Sequence, residues 1–268
     1  MIEILIKQFS IAFSLETFSE MVRLNSVYAF SSEMKLAIAG CESSLASCSA
    51  ALCVAVQVRR SALALPSFKT LESHIYDLGA TWDRQSFWCP ASGSNALWRH
   101  FFSVLSPQAT ANVPLVGVEW WIRIRPASET QHFHFDKDEI LLRETGKLFC
   151  PVVSMVLYFN EIGGPTLIST RTAGDIGRLS LKAPRELAAV NPEANKLLWF
   201  PGDLGHAVLG SNQFGSRTTL IMNWWQSKPR RMRSTPNGLR LPSVSIGKFQ
   251  KSAPKVFTGK LFVPRMLV

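Results

Sequence analysis

Between Val113 and Trp225 the chain repeats one pattern that leaves few folds open. VGVEWWIRIR (116–125) alternates: on an extended strand Trp120, Ile122 and Ile124 share one face, and Trp121, Arg123 and Arg125 the other. VVSMVLYFN (152–160) is an apolar, β-rich run closed by Gly163-Gly164-Pro165. TLIST (166–170), KLLWF (196–200), HAVL (206–209) and TTLIMNWW (218–225) follow. Short strands separated by turn residues predict a sandwich or a jelly-roll barrel. Residues 1–110 read as mostly helical, with a helix start at Ser31-Ser32-Glu33, helix formers to about Arg60 and a second helix over Leu71 to Leu78. The expected class is therefore α+β.

Charge divides the chain further. Of 29 Lys and Arg residues, ten fall between Lys228 and Val268, where no Asp or Glu occurs. The remaining nineteen balance the nineteen acidic residues, so the whole +10 excess belongs to the last 41 residues. Three parts result: a helical region over 1–110, a β core over 111–227 and a basic tail over 228–268. The tail reads first as an extension packed over the core by Phe249, Phe257, Leu261 and Phe262. Its alternative is a patch for nucleic acid or another polyanion.

No apolar run approaches the roughly 20 residues that span a bilayer, so no membrane partner is expected. LASCSAALCVAV (45–56) reads as a buried helix. The N-terminus carries Glu3, Lys7 and Glu16 within its apolar stretch, unlike a signal or transit peptide. The five cysteines form no CxxC pair. The expectation is a reducing intracellular location, cytoplasmic or nuclear.

Chemistry concentrates in HFHFDKDE (132–139). Read as one strand, it puts His132, His134 and Asp136 on a single side. A further histidine, His206, follows a Pro-Gly-Asp turn in FPGDLGHAVLG. Two metal readings compete. His134, Asp136 and His206 make a two-His, one-carboxylate facial set, which leaves coordination positions open as non-haem iron oxygenases require. Alternatively His132, His134, Glu139 and His206 make a three-His, one-Glu site. The spacing from His132 to Gly146 resembles the first motif of metal-binding cupins.

Three features separate these readings. Arg217 stands eleven residues beyond His206 and opens a strand, so it can aim a guanidinium into the same barrel mouth. There it can bind a dicarboxylate end-on, with Thr219 on the same face. The cupin pattern wants Gly at 126 and Asn at 210, where this chain has Pro126 and Gly210. The 70 residues from Asp136 to His206 also exceed a compact cupin's need.

HFD (134–136), LYFN (157–160), GGPT (163–166), PGDLGHAV (201–208) and R-T-T (217–219) together resemble the Fe(II)- and 2-oxoglutarate-dependent dioxygenases, in their prolyl-4-hydroxylase-like branch. Phe159 and Pro165 stand where that branch carries Leu and Glu. The resemblance covers about 113–227 and implies a double-stranded β-helix (jelly-roll) core. It implies Fe(II) on His134, Asp136 and His206, and 2-oxoglutarate on Arg217 and Thr219. Tyr158 is placed either on the cosubstrate or in the barrel wall. O2 would be a cosubstrate, ascorbate is admissible as a reductant, and an unidentified substrate would be hydroxylated with release of succinate and CO2. Asn223 and Trp225 share the Arg217 face, while Trp121, Arg123 and Arg125 read as packing or surface, with a substrate entrance as the alternative. His132 then becomes a neighbour of the site. The rival functions are the cupin-type metalloenzyme and a non-catalytic barrel whose basic tail binds polyanions.

Overall fold

The structure, a computed structural model, describes residues 55–92, 97–99, 101, 114–173 and 186–236, with parts of 239–258. The helix expected from Ser31 as far as residue 54, and the side chains of Phe249, Phe257, Leu261 and Phe262, lie outside the described residues. The strands are β1 (Gln57–Arg60), β2 (Phe87–Pro90), β3 (Gly117–Pro126), β4 (Gln131–His134), β5 (Val153–Tyr158) and β6 (Thr166–Thr172). They continue with β7 (Glu186–Val190), β8 (Lys196–Pro201), β9 (Leu204–Val208), β10 (Ser216–Trp225), β11 (Gln250–Ser252) and β12 (Lys255–Thr258). Helices α1 (Leu65–Trp82) and α2 (Glu139–Thr145) accompany them. No described helix is long and apolar enough to cross a membrane.

Seven strands form one antiparallel sheet in the order β11-β1-β8-β5-β10-β3-β2, and five form the other as β12-β7-β6-β9-β4. From β3 to β10 the chain passes repeatedly between the sheets, the winding of a jelly roll. The alternation read from the sequence is what lets the large sheet bury both faces. Trp120, Ile122, Met155, Leu157, Leu220 and Met222 face α1, in a core completed by Phe68, Leu71 and Ile75. Val156, Tyr158, Leu198 and Phe200 face the small sheet and meet Ile168, Ala188, Val190 and Leu204.

Helix α1 spans the Leu71–Leu78 segment and carries Pro66 in its first turn, where the fixed φ of proline is at home. Its buried residues, Phe68, Leu71, Ile75 and Gly79, form one stripe at helical spacing. Gly79 lets the helix approach β3: a Cβ there would meet Ile124 Cδ1 at 2.4 Å. Phe68 also stacks on Phe159, centroids 5.6 Å apart.

Two flanking expectations are corrected. Gln57–Arg60 is a strand, not the end of a helix, because β8 would otherwise leave its edge open; Val58, 4% exposed, pairs with Leu198. Phe87–Pro90 is also a strand, paired along β3. Asn195, at φ +62, clasps the segment after β1: its Oδ1 accepts from Leu63 N (2.9 Å) and its Nδ2 donates to Leu63 O (2.8 Å). The tail contributes β11 and β12, one at an edge of each sheet.

Candidate metal centre and anion pocket

His134 ends β4 and His206 lies in β9, directly opposite it, with ring centroids 4.3 Å apart. Asp136 follows just past the strand, its Oδ1 3.9 Å from His134 Nε2 and its Oδ2 3.6 Å from His206 Nε2. Their ligand atoms all lie within 4.8 Å of one another, so the trio can hold a metal ion. Two imidazole nitrogens and one carboxylate oxygen suit non-haem iron.

Backbone carbonyls fix both imidazoles. His134 Nδ1 is 2.8 Å from His132 O, and His206 Nδ1 is 3.1 Å from Leu204 O. A carbonyl only accepts, so each Nδ1 carries a proton and Nε2 is the nitrogen turned towards Asp136. Burial, reinforced by His206, pulls His134 down to about 4, against the opposing pull of Asp136. It is therefore neutral, as a ligand must be. Burial pushes the Asp136 carboxyl up, but the two imidazoles and hydrogen bonds from Ser154 and Asn223 outweigh it and hold it below its ordinary value. Ser154 Oγ donates to Asp136 Oδ2 at 2.9 Å. Gln131 Nε2 lies 2.9 Å from His134 Nε2, and a metal there would displace that amide.

The expectation of one shared side for His132, His134 and Asp136 is corrected by a bulge. Gln131 pairs with Val208 and His134 with His206, so β4 spends three residues where β9 spends two. Gln131 and His134 consequently both line the cavity, and His132 is exposed. Glu139 opens α2 with its side chain 66% exposed and pairs with Lys137 at 3.2 Å. Gly146 is the left-handed cap of α2 at φ +69, and Asp138 caps the other end by accepting from Leu141 N. Glu139 reaches the wall of the cavity that His134 and His206 line, but among the described residues neither its carboxylate nor the His132 ring joins their cluster of ligand atoms.

The trio shares a cavity of about 370 Å3 with Arg217. Arg217, 8% exposed, donates from Nη1 to Gly164 O (3.0 Å) and from Nη2 to Thr166 Oγ1 (2.7 Å). Gly163, at φ +99, gives the side chain room: a Cβ there would lie 3.2 Å from Arg217 Cβ and Cδ. Among the described residues no carboxylate pairs with this buried guanidinium. Thr166 is opposite Val208 on β9 and Ile168 is opposite His206. The guanidinium held at Thr166 therefore stands two residues, roughly 7 Å, along the sheet from the histidine pair.

Thr219 is buried and lines the same cavity. Tyr158 lies behind Arg217: its hydroxyl meets Thr166 Oγ1 at 2.8 Å and its ring sits 5.2 Å from the guanidinium carbon. It is placed to support Arg217, not to line the cavity. Trp121, Arg123 and Arg125 do line it, which corrects the packing role first assigned to them. Asn223 joins Asp136 as its strand parity implied. Arg84, Glu119 and the Gly164 carbonyl were not singled out by sequence; Glu119 shares the parity of Trp121, a signal that was available.

Arg230 and Arg231 both pair with Glu144, and Arg230 N donates to Asp138 Oδ2 at 2.7 Å. Cys89 and Cys150 are free thiols, with burial pushing Cys150 up to about 11.

No family model and no curated protein matches the chain. Solved structures do. A Pseudomonas putida prolyl-4-hydroxylase aligns over 65% of this chain and 89% of its own, at 16% identity and a TM-score of 0.44. A Trichoplax adhaerens prolyl hydroxylase, in complex with a hypoxia inducible factor peptide fragment, aligns over 68% and 88% at 11% identity and TM-score 0.43. HygX from Streptomyces hygroscopicus, with nickel and 2-oxoglutarate bound, aligns over 82% and 98% at 12% identity and TM-score 0.38. The structures to which this chain is similar thus include prolyl-4-hydroxylase and 2OG-Fe(II) oxygenase family members.

Proposed function

We propose that this chain is an Fe(II)- and 2-oxoglutarate-dependent oxygenase that hydroxylates a substrate and releases succinate and CO2. The observation that carries the reading is Arg217: a buried guanidinium without a carboxylate partner among the described residues, one short step from a trio able to hold a metal. An unpaired buried cation is costly, so the fold keeps it for an anion that arrives from outside. A five-carbon diacid has the reach to join Arg217 to the metal trio.

In this reading His134, Asp136 and His206 hold the iron. The bound iron supplies oxidative decarboxylation of the keto acid coupled to oxidation of the substrate. The His132 and Leu204 carbonyls keep both imidazoles in the ligating tautomer, and Ser154 and Asn223 aim the Asp136 carboxylate. Arg217 and Thr219 receive the distal carboxylate, with Tyr158 and Thr166 fixing the guanidinium plane. Phe200 and Ile221 line the cavity and limit water there.

Anaerobic titration with Fe(II) and then 2-oxoglutarate tests the reading, because the chelate produces a weak visible charge-transfer band. Arg217→Met is expected to weaken cosubstrate binding roughly 10- to 100-fold while Fe(II) still binds. Asp136→Ala should lose the metal, and His132→Ala should keep it. Absence of the band in the wild type, or an unchanged cosubstrate affinity in Arg217→Met, would overturn the reading.

A further inference from the structure

Five cations line the cavity, and four of them are accounted for. Arg217 belongs to the cosubstrate in the reading above. Arg84 pairs with Asp83 (3.2 Å), Lys137 with Glu139 (3.2 Å) and Arg125 with Glu129. Arg123 has no carboxylate partner among the described residues, and its Nε is buried without a hydrogen bond.

The surroundings of Arg123 are built rather than incidental. Strand β2 accompanies β3 only as far as Trp120. Beyond it the turn after α1 takes over that edge: Asp83 Oδ1 accepts from Ile124 N (2.9 Å), and Arg84 N donates to Ile122 O (3.3 Å). These two bonds bracket Arg123 and bring Arg84 beside it, with Arg84 in the left-handed region at φ +67. Non-glycine residues hold that conformation at an energetic cost, and such strain collects at functional positions. Arg123 feels Asp83 and Arg84, and Arg125 feels Arg123, Arg84 and Asp83, so three guanidiniums and one carboxylate share this space. Asp83 and Glu129 pair with two of the guanidiniums. Glu119, another carboxyl on the cavity wall, is engaged by Ser86 and Trp225, and Arg123 is left without a carboxylate partner among the described residues.

Charge decides what should arrive there. An Fe(II) ion, Asp136, a dicarboxylate and Arg217 cancel one another, so the unpartnered Arg123 guanidinium is left for the substrate. We propose that the substrate is a small acid whose single anionic group, a carboxylate or a phosphate, is held by Arg123 with Arg84 beside it. Its apolar part lies on Trp121 and on Ile221, which face each other across β3 and β10 and line the cavity. A guanidinium receives either anion through two parallel hydrogen bonds. The charge lies inside the cavity, and two tail cations, Arg230 and Arg231, are paired with Glu144. That arrangement favours a small molecule over a nucleic-acid strand. The proposal rests on the oxygenase reading for what is then done to the acid.

The test uses three matched probes, phenylacetate, phenyl phosphate and phenylacetamide. Their affinities are read by ligand-observed NMR on protein loaded with Ni(II) and saturating 2-oxoglutarate. One of the two acids is expected to bind at least about tenfold tighter than the amide. Which acid wins separates a carboxylate from a phosphate substrate. Arg123→Met should erase the preference, and Arg123→Lys, which keeps the charge but loses the fork, should retain only part of it. Thermal melts confirm that each variant is folded, and calorimetry of 2-oxoglutarate in the same samples should give wild-type affinity for both. Equal binding of acid and amide, or an unchanged preference in Arg123→Met, overturns the proposal. So does a preference that appears only without 2-oxoglutarate and is lost in Arg217→Met, since the acids would then be filling the cosubstrate pocket. If 2-oxoglutarate binds no sample, the oxygenase reading fails instead. The Arg123-dependent preference is still read on the metal-free protein.

Discussion

Glu119 should make this protein less stable as the solution turns from acid to neutral. Its carboxyl sits on β3 opposite Asn223, lines the cavity, and is raised from 4.5 to about 7. Burial is the larger cause and the nearby Asp136 charge the second, with Ser86 and Trp225 pulling the other way. In the unfolded chain the group ionises near 4.5, whereas in the folded chain it keeps its proton to about 7. Between those values the folded state binds more protons, so stability falls as pH rises through the window and is flat above it. At about 1.4 kcal/mol per pH unit the whole penalty is about 3 kcal/mol. Glu119→Gln removes it. Urea unfolding of both metal-free proteins from pH 4.5 to 8.5 should show equal stability at the acid end, a gap opening towards pH 7, and a plateau in favour of the variant. Loading Ni(II) should shrink that gap, because a cation on Asp136 relieves part of what raises Glu119. Curves that stay parallel over the range would refute this account of the cavity floor.

Four further outcomes are expected. Gly163→Ala places a methyl 3.2 Å from Arg217 Cβ and Cδ at φ +99. It should cost about 1–2 kcal/mol by chemical denaturation and weaken 2-oxoglutarate binding several-fold in calorimetry. Asn195→Ala removes two hydrogen bonds to Leu63, and a drop of roughly 2–4 kcal/mol in unfolding free energy is expected. Ile75→Ala opens a hole between α1 and the large sheet, where Ile75 is fully buried; urea unfolding should register a loss of roughly 2–5 kcal/mol. Ni(II) at a hundred times its dissociation constant should stabilise the wild type by about 2.7 kcal/mol and leave Asp136→Ala unmoved in a melting assay.

What could be read from sequence followed how local each cause is. Strands β3, β5, β6, β8, β9 and β10 announce themselves because each carries the apolar pattern its burial demands. Strand β7, ELAAV, is made of good helix formers and is a strand only through its pairing with β6 and β12, which no local window records. Strand β1 depends likewise on the open edge of β8. The gathering of His134, Asp136, His206 and Arg217 at one cavity was legible in their order and spacing along alternating strands. The bulge in β4 was not, and it alone decides that His132 leaves the site while Gln131 enters it. Arg84 stayed hidden because it reaches the cavity through a turn 39 residues before Arg123 in the chain.

The flanking strands also bear on how the protein can be cut. β1 seals β8, β12 seals β7, and α1 roofs the outward side of the large sheet. A fragment trimmed to residues 111–227 would keep the trio and Arg217 yet bare three strand margins, those of β8, β7 and β3, and an oily roof bed of Trp120, Ile122 and Leu220. Bare margins of that kind recruit other chains. Such a fragment should come out of expression as aggregates, so the cavity is portable only together with its wrapping.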